Sequence, residues 1–124
     1  MNLLLDSHIL LWCLADSPKL PAAARRAVAR AGLVYVSVAT VWELGLKAAN
    51  GKLVFPRDIE DELRANQFEP LPVSIAHALA AARLPFHHRD PFDRMLVAQA
   101  RLESLTLVTV DARLKTYGVP VLPA

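Results

Sequence analysis

The sequence predicts an α/β protein whose helices cover both faces of a mostly parallel sheet. Short apolar runs alternate with longer segments of helical spacing along the chain, and this alternation is typical of parallel strands joined by helices. The composition, 54% hydrophobic and 21% charged, suits strands that are buried on both faces. A length of 124 residues is that of one domain. We therefore expect a single domain over residues 1–124, folded as a three-layer α/β/α sandwich.

The first half of the chain is expected to supply two strands and four helices. The strands span residues 2–5 and 33–36, and the helices span residues 7–15, 20–32, 38–50 and 57–67. Asp6 ends the first strand, and Ser37 has the residue type that caps a helix. Gly51 follows the third helix, where glycine commonly ends a helix. An acidic side chain is therefore expected at the carboxyl end of the first strand.

The second half contains the helix with the clearest start. It is expected to supply extended segments at residues 68–73, 106–110 and 119–122 and helices at residues 75–84, 91–103 and 112–117. Pro70 and Pro72 cannot donate to a strand ladder, which places the first extended segment at a sheet edge. Asp90 is a capping residue type, and Pro91 suits the first helical position. The helix behind this start is largely apolar, so we expect it to be buried.

Four acidic residues fall where a parallel sheet presents its ligand-binding crevice. Asp6 and Asp111 each follow a strand, and Asp93 lies in the first turn of a helix. Asp commonly caps such positions, so a purely local role stays open for each of them. Glu43 lies inside an apolar helix, where it cannot cap. It either pairs with Lys47 at i,i+4 spacing on an exposed face or joins the other acids.

Converging carboxylates would repel one another and raise some of their own pKa values. Such a cluster needs a cation, and oxygen ligands favour a hard divalent ion such as Mg²⁺. The chemistry that follows is metal-assisted hydrolysis of a phosphodiester bond. Helix N-termini at the same crevice would attract the phosphate. The acids therefore predict a metal centre of the nuclease type.

Four sequence segments carry a resemblance to a known family. They are LLLDSH and LLW within residues 3–12, SVATVWEL at residues 37–44, HRDPFDRMLVAQA at residues 88–100 and LVTVD at residues 107–111. In this order, over essentially the whole chain, they resemble PIN-domain ribonucleases, and within these the VapC-type toxins of bacterial toxin–antitoxin pairs. The resemblance implies an endoribonuclease that depends on Mg²⁺ or Mn²⁺ and has a small three-layer fold.

The resemblance also implies roles for the site residues. The metal-binding core would be Asp6, Glu43 and Asp93, with Asp111 as a fourth and more variable acid, and these four are the expected catalytic residues. Asp90 belongs to the Asp-Pro-Phe-Asp signature, and both capping and a water-mediated metal contact are open for it. Small polar positions beside the acids are matched by Ser7 and Thr109.

Partners follow from the same resemblance. It implies a homodimer, a small antitoxin that inserts a peptide into the active-site groove, and tRNA or another structured RNA as substrate. Arg94 is a candidate for RNA contact, because arginine binds phosphate oxygens in a bidentate manner, although a plain helix-surface role explains it equally well. Lys47 and Arg89 are further candidates for RNA contact. His87 and His88 are expected in a loop or at RNA rather than at a metal ion.

The bulk features restrict the environment of the protein. The single cysteine, Cys13, provides no disulfide framework. Uncharged runs such as residues 31–42 are too short to span a membrane, and Asp6 interrupts the apolar start, so no signal peptide is expected. The formal net charge of +2 points only weakly to nucleic acid. We therefore expect a cytoplasmic protein without membrane contact.

Two other functions stay open. A catalytically silent member of the same fold would only bind RNA or a partner protein. An α/β phosphomonoesterase would use Asp6 as its nucleophile, but the haloacid-dehalogenase type that it would resemble has a second Asp where this chain has His8. The repulsion among the acids further predicts that Asp6→Asn and Asp93→Asn abolish cleavage and leave the metal-free fold at least as stable.

Overall fold

A parallel sheet forms the centre of the protein. The computed structural model describes residues 1–123, and Ala124, the last residue of the expected domain range, lies outside them. Five strands are ordered β3-β2-β1-β4-β5, and every neighbouring pair is parallel. They are β1 (Leu3–Leu5), β2 (Val34–Ser37), β3 (Phe68–Leu71), β4 (Thr106–Thr109) and β5 (Val121–Pro123). The predicted α/β class is confirmed.

Helices pack on both faces of this sheet. They are α1 (Ser7–Leu14), α2 (Ala22–Arg30), α3 (Val38–Ala49), α4 (Ile59–Ala65), α5 (Ile75–Arg83), α6 (Pro91–Glu103) and a 3₁₀ helix, Ala112–Tyr117. Leu3 and Leu5 share a hydrophobic cluster with residues of α1 and α2, whereas Leu4 belongs to a second cluster with residues of α6. Because successive residues of a strand point to opposite faces, the two clusters lie on opposite faces of the sheet. The sheet is therefore the middle layer between two layers of helices.

The predicted elements agree with the described structure to within two residues at each boundary. Ser37 caps α3 by accepting a hydrogen bond from the backbone N–H of Ala39 at 3.0 Å. β3 contains Pro70 and lies at an edge of the sheet, as its missing N–H requires. No helix in this part of the chain combines the length and apolar character needed to cross a membrane.

The carboxyl ends of β1, β2 and β4 lie side by side at one edge of the sheet. The register pairs Leu5 with Val36 on one side and with Val108 on the other. Residues that follow these strands therefore meet at the same edge. Asp6 follows β1 directly, α3 begins directly after β2, and the chain after β4 leads to Asp111. This edge holds the candidate site.

Candidate metal centre

Asp6 follows β1 and accepts hydrogen bonds from residues at the end of the neighbouring strand β4. The residue is nearly fully buried, with 5% of its surface exposed. Its Oδ1 atom accepts a hydrogen bond from the backbone N–H of Ile9 at 2.9 Å, which caps α1. Its Oδ2 atom accepts hydrogen bonds from the Thr109 hydroxyl at 2.6 Å and from the backbone N–H of Val110 at 3.1 Å. Asp6 therefore caps a helix and presents a carboxylate of fixed orientation at the site.

Asp93, Asp111 and His88 form a compact group connected to Asp6. Each offers one ligand atom, and the three atoms lie within 4.8 Å of one another. His88 Nε2 is 2.8 Å from Asp93 Oδ2 and 3.3 Å from Asp111 Oδ2. The backbone N–H of Asp111 donates to the Thr109 hydroxyl oxygen at 3.0 Å. Three of the four predicted acids therefore belong to one network of polar contacts.

His88 is the member of this group that the sequence interpretation missed. It lies in the loop before α6, as expected, but its side chain is only 14% exposed and contacts both acids. A metal-ligand role was disfavoured because the chain has no cysteine or further histidine nearby in sequence. The sequence feature that could have identified His88 as a site residue is its position in the signature segment, five residues before Asp93.

Glu43 is buried in the interior of α3, with 9% of its surface exposed. Its Oε2 atom is 3.2 Å from Lys47 Nζ, so the i,i+4 pair forms, although the acid is not on an exposed face. The negative charge of Glu43 is the smallest of the contributions that raise the pKa of Asp93. Among residues 1–123, the group of three ligand atoms includes neither Glu43 nor Asp6. The four predicted acids thus spread over a wider area than this group.

The surroundings of Asp93 disfavour its charged form. Burial is the largest cause, and the negative charges of Asp90 and Glu43 add to it, while the hydrogen bond with His88 opposes them; the result raises the pKa of Asp93 to about 6. The contributions of Asp90 and Glu43 are the repulsion among acids that the sequence predicts, although burial contributes more. A bound cation would relieve it, because a nearby opposite charge favours the carboxylate.

Asp111 has a cationic partner of its own. The Arg113 Nε and Nη2 atoms donate to Asp111 Oδ1 and Oδ2 at 2.9 and 2.7 Å. The hydrogen bonds and charge of Arg113 hold the pKa of Asp111 below its usual value, with His88 contributing in the same direction. Asp111 is therefore an ionised and restrained carboxylate at the rim of the site.

Asp90 caps the helix that carries Asp93. Its Oδ1 atom accepts hydrogen bonds from the backbone N–H groups of Phe92 at 2.8 Å and Asp93 at 3.2 Å. Of the two roles open for Asp90, the structure contains the capping one, and a water-mediated metal contact stays a prediction. Ser7 is the buried first residue of α1, next to Asp6 in the chain.

Arg94 is buried, with 7% of its surface exposed. Its guanidinium donates to the carbonyl oxygens of Ala81 and Leu84, both at 2.8 Å, and of Pro85 at 2.9 Å. These bonds occupy the N–H groups that an RNA phosphate would need. The helix-surface role for Arg94 is therefore wrong, because Arg94 anchors the loop that precedes α6. Its RNA contact stays a prediction, which these bonds disfavour. Arg89, in the same loop, is exposed and stays a predicted RNA contact.

An exposed apolar groove lies beside the acids. Trp42, expected in the core or at a dimer interface, is 64% exposed, so the core alternative is wrong. Its ring meets that of Phe92 edge-on, with 5.3 Å between the ring centroids. The groove is lined by Val38, Ala39, Trp42, Val73, Pro91, Phe92 and Met95. Trp42 and Phe92 each neighbour a site acid in the chain, so the groove borders the site.

The chemistry of the donor set fits a divalent cation. Carboxylate oxygens are the ligands that Mg²⁺ and Mn²⁺ favour, and an imidazole nitrogen suits transition ions. The contact with His88 and the charge of Arg113 partly offset the negative charge of Asp93, but its pKa is still raised, so negative charge at this point is only partly compensated.

Known proteins match the chain along nearly all of its length. A family profile described as the PIN domain matches residues 3–120. Ribonuclease VapC22 of Mycobacterium tuberculosis is 29% identical over 122 residues, which covers 96% of this chain and 94% of that protein.

Solved structures with the same fold agree with this match. A toxin–antitoxin complex from Klebsiella pneumoniae has a TM-score of 0.66 at 20% identity, over 96% of this chain and 94% of the matched chain. The DNA-bound VapBC structure from Salmonella typhimurium has a TM-score of 0.69 at 17% identity, over 99% and 98% of the two chains. The profile match spans most of the sequence, and the resemblance noted in the four segments is confirmed: this chain belongs to the PIN domain family.

Proposed function

We propose that this protein is a metal-dependent endoribonuclease that hydrolyses RNA phosphodiester bonds and acts as the toxin of a toxin–antitoxin pair. Membership of the PIN domain family and similarity to Ribonuclease VapC22 support this activity. The observation that carries the proposal is Asp93, which lies against His88 and near Asp111 with a pKa raised to about 6. A carboxylate kept in such surroundings is costly unless it binds a cation.

We propose Mg²⁺ or Mn²⁺ as the cofactor, held by Asp6, Glu43, Asp93 and Asp111. When bound, such an ion supplies activation of a water molecule and stabilisation of the leaving oxygen. Asp6 is held by three hydrogen bonds, and Arg113 restrains Asp111. Ligands that are fixed before binding reduce the conformational cost of assembling a site.

The surroundings of the acids suit a phosphate ester. α1 and α3 begin directly after β1 and β2, so their N-termini face the carboxyl edge of the sheet, and helix N-termini attract phosphate. The Arg113 side chain is 72% exposed at the rim, and Lys47 is 39% exposed beside Glu43. We propose that these cations and Arg89 neutralise RNA phosphates near the cleaved bond.

We further propose that the protein acts in the cytoplasm as a single-domain homodimer that a small antitoxin neutralises. The descriptions of the similar structures as a toxin–antitoxin complex and as VapBC support the antitoxin. The apolar groove around Trp42 supports a dimer, because contiguous exposed apolar surface commonly marks a protein interface. A structured RNA such as tRNA stays the expected class of substrate.

The phosphomonoesterase alternative has less support from the site. The haloacid-dehalogenase type that it would resemble has a second Asp two residues after the nucleophile, where this chain has the exposed His8. The surrounding acids would also repel a phosphomonoester dianion unless a cation were bound.

Cleavage of total cellular RNA by the purified protein tests the proposal. We expect discrete fragments with Mg²⁺ or Mn²⁺, none with EDTA, and a loss of at least about 100-fold for Asp93→Asn, since even outer partners of metal ligands cost 10–100-fold. Asp58→Asn is the matched control, because Asp58 is an exposed acid whose side chain makes no capping bond. Metal binding without any cleavage would instead favour the silent binding protein.

A further inference from the structure

We propose that His88 is a nitrogen ligand of the metal centre and that it shifts the preference of the site from Mg²⁺ towards Mn²⁺. The inference rests on the proposed function, because it concerns the cation that this function requires. It adds one residue to the four acids and assigns that residue a separate task, the choice of metal.

The position of the imidazole carries the proposal. His88 Nε2 lies 2.8 Å from Asp93 Oδ2 and 3.3 Å from Asp111 Oδ2. Neighbouring ligands of an octahedral ion with bonds of about 2.1 Å are roughly 3 Å apart. The 2.8 Å contact is a hydrogen bond in the metal-free structure, and both spacings are also compatible with neighbouring ligands around one ion. The side chain is 14% exposed, so it is directed into the site rather than into solvent.

Two buried side chains fix the loop that carries His88. Its backbone N–H donates to Tyr117 Oη at 2.9 Å, and the Tyr117 hydroxyl donates to the carbonyl oxygen of Pro85 at 2.9 Å. Arg94 donates to the Pro85 carbonyl at 2.9 Å and to the His88 carbonyl at 3.3 Å. The loop is thus held on both sides of the His88 α-carbon, and this sets the direction of the imidazole.

Burying two polar side chains to hold this loop is unfavourable, which suggests that the loop does more than connect α5 to α6. Arg94 and Tyr117 are 7% and 4% exposed, and a buried guanidinium or phenol is unfavourable unless its polar atoms are bound. Part of this anchoring ends α5, because Arg94 also binds the carbonyl oxygens of Ala81 and Leu84, and the bonds to Pro85 and His88 fix the loop itself. A loop that directs a ligand towards Asp93 and Asp111 needs a fixed backbone conformation, and these hydrogen bonds supply it.

The nitrogen atom changes which cation the site favours. Mg²⁺ binds oxygen ligands and water, whereas imidazole suits first-row transition ions. The carboxylates supply the negative charge that either ion needs. The imidazole nitrogen of His88 supplies the ligand that Mn²⁺ accepts more readily than Mg²⁺. We therefore expect tighter binding of Mn²⁺ than of Mg²⁺, and loss of this difference when the imidazole is removed.

Pulsed electron paramagnetic resonance of the Mn²⁺-loaded full chain tests the proposal, because ¹⁴N modulation of the spin echo reports nitrogen bound to Mn²⁺. We expect modulation in the wild type and its loss in His88→Ala. His87→Ala is the matched control, since His87 is the exposed neighbour in the same loop and should keep the signal. In calorimetric titrations of the same proteins, Mn²⁺ affinity should fall at least roughly tenfold in His88→Ala while Mg²⁺ affinity changes much less.

The outcomes separate this inference from the proposed function. If circular dichroism shows that His88→Ala is unfolded, His88→Gln replaces it as a folded variant without an imidazole. Mn²⁺ binding that depends on Asp93 but shows no ¹⁴N modulation in the wild type would overturn the role of His88 and leave the nuclease proposal standing. Failure of both ions to bind the wild type would overturn both.

Discussion

At the scale of single residues, the site is determined by how each acid is compensated. Asp6 accepts three hydrogen bonds, and Asp111 and Glu43 each pair with a cationic side chain. Asp93 has the hydrogen bond and charge of His88 and the charge of Arg113 to set against burial and two neighbouring acids, and its pKa is still raised. Its carboxylate is therefore the one that a bound cation would stabilise most.

Asp93→Asn is expected to stabilise the metal-free protein above about pH 6. Folding raises the pKa of Asp93 from 3.8 to about 6, so ionisation of this carboxyl opposes folding. The cost is absent below about pH 4, grows as the pH rises to about 6, and is complete above that. The full shift would correspond to about 3 kcal/mol, which the 25% exposure of the side chain reduces to about 1 kcal/mol.

Denaturant unfolding in EDTA measures this effect. The variant should have the higher free energy of unfolding at pH 8, and the two proteins should be equally stable at about pH 4. A variant that is less stable than the wild type at pH 8 would show that Asp93 acts mainly as a structural acceptor for His88.

Asp6→Asn is expected to destabilise the fold, in contrast to the expectation from the sequence that it leaves the metal-free fold as stable or slightly more so. The carboxylate accepts bonds from Ile9, Thr109 and Val110. An amide retains one acceptor oxygen and directs its N–H₂ group at groups that are themselves donors. We expect a loss of about 1–2 kcal/mol in the metal-free protein, measured by denaturant unfolding. Unchanged stability would mean that these hydrogen bonds contribute little.

The sequence predicted the acids but not their contacts, for a physical reason. An Asp after a strand is visible in the chain, because capping and strand ends leave local patterns. The contact between His88 and Asp111 joins residues of two different loops, and only the folded sheet and α6 bring them together. Arg94 was misplaced because a buried arginine and a surface arginine have the same local pattern in an amphipathic helix.

At the scale of elements, the start of α6 and the loop before it form one unit. Asp90 caps the helix and Pro91 occupies its first position, so the helix begins at a defined residue. Arg94, one turn further on, donates back to the loop. The signature segment therefore encodes a helix start, a loop anchor and a site acid within a few residues.

Arg94→Met should loosen this loop while leaving the sheet intact. Removal of the guanidinium leaves the carbonyl oxygens of Ala81, Leu84 and Pro85 without these donors. We expect a loss of about 2–3 kcal/mol and faster amide hydrogen exchange at His88, whose N–H donates to Tyr117.

The matched control for this substitution is Arg89→Met, which removes an exposed arginine from the same loop. It should change stability by less than about 0.5 kcal/mol. Equal effects of the two substitutions would argue that charge, and not the buried anchoring, stabilises the loop.

The elements themselves were predictable because strong local signals mark their ends. Ser37 and Asp90 supplied the expected caps, and Pro70 placed β3 at an edge. α4 was expected over residues 57–67 and forms only over Ile59–Ala65. Asp58 makes no capping bond there, so the polar residues before Ile59 have no local reason to be helical.

At the scale of the whole molecule, the groove beside the site is a contiguous exposed apolar surface of the described structure. Trp42 is 64% exposed there, and the groove lining is almost entirely apolar. The high apolar content of the chain therefore reflects both a buried sheet and an exposed face.

Trp42→Glu should weaken self-association without unfolding the protein. If a second copy covers the groove, a charge at its centre must be desolvated on binding, which is unfavourable. We expect the dimer dissociation constant to rise at least about tenfold, measured by sedimentation equilibrium. Leu79→Glu is the control, because Leu79 is 47% exposed on α5 and outside the groove. A wild type that is monomeric at high concentration would contradict the dimer.

The central claim, that the acids form a metal centre for RNA hydrolysis, is tested most directly by a cation titration. Protein stripped of metal is given one defined RNA substrate, and the cleavage rate is followed as Mn²⁺ or Mg²⁺ is added. We predict a saturable rise in rate that EDTA reverses and that Asp93→Asn lacks. Cleavage that persists in EDTA, or an Asp93→Asn variant that cleaves as fast as the wild type, would contradict the claim.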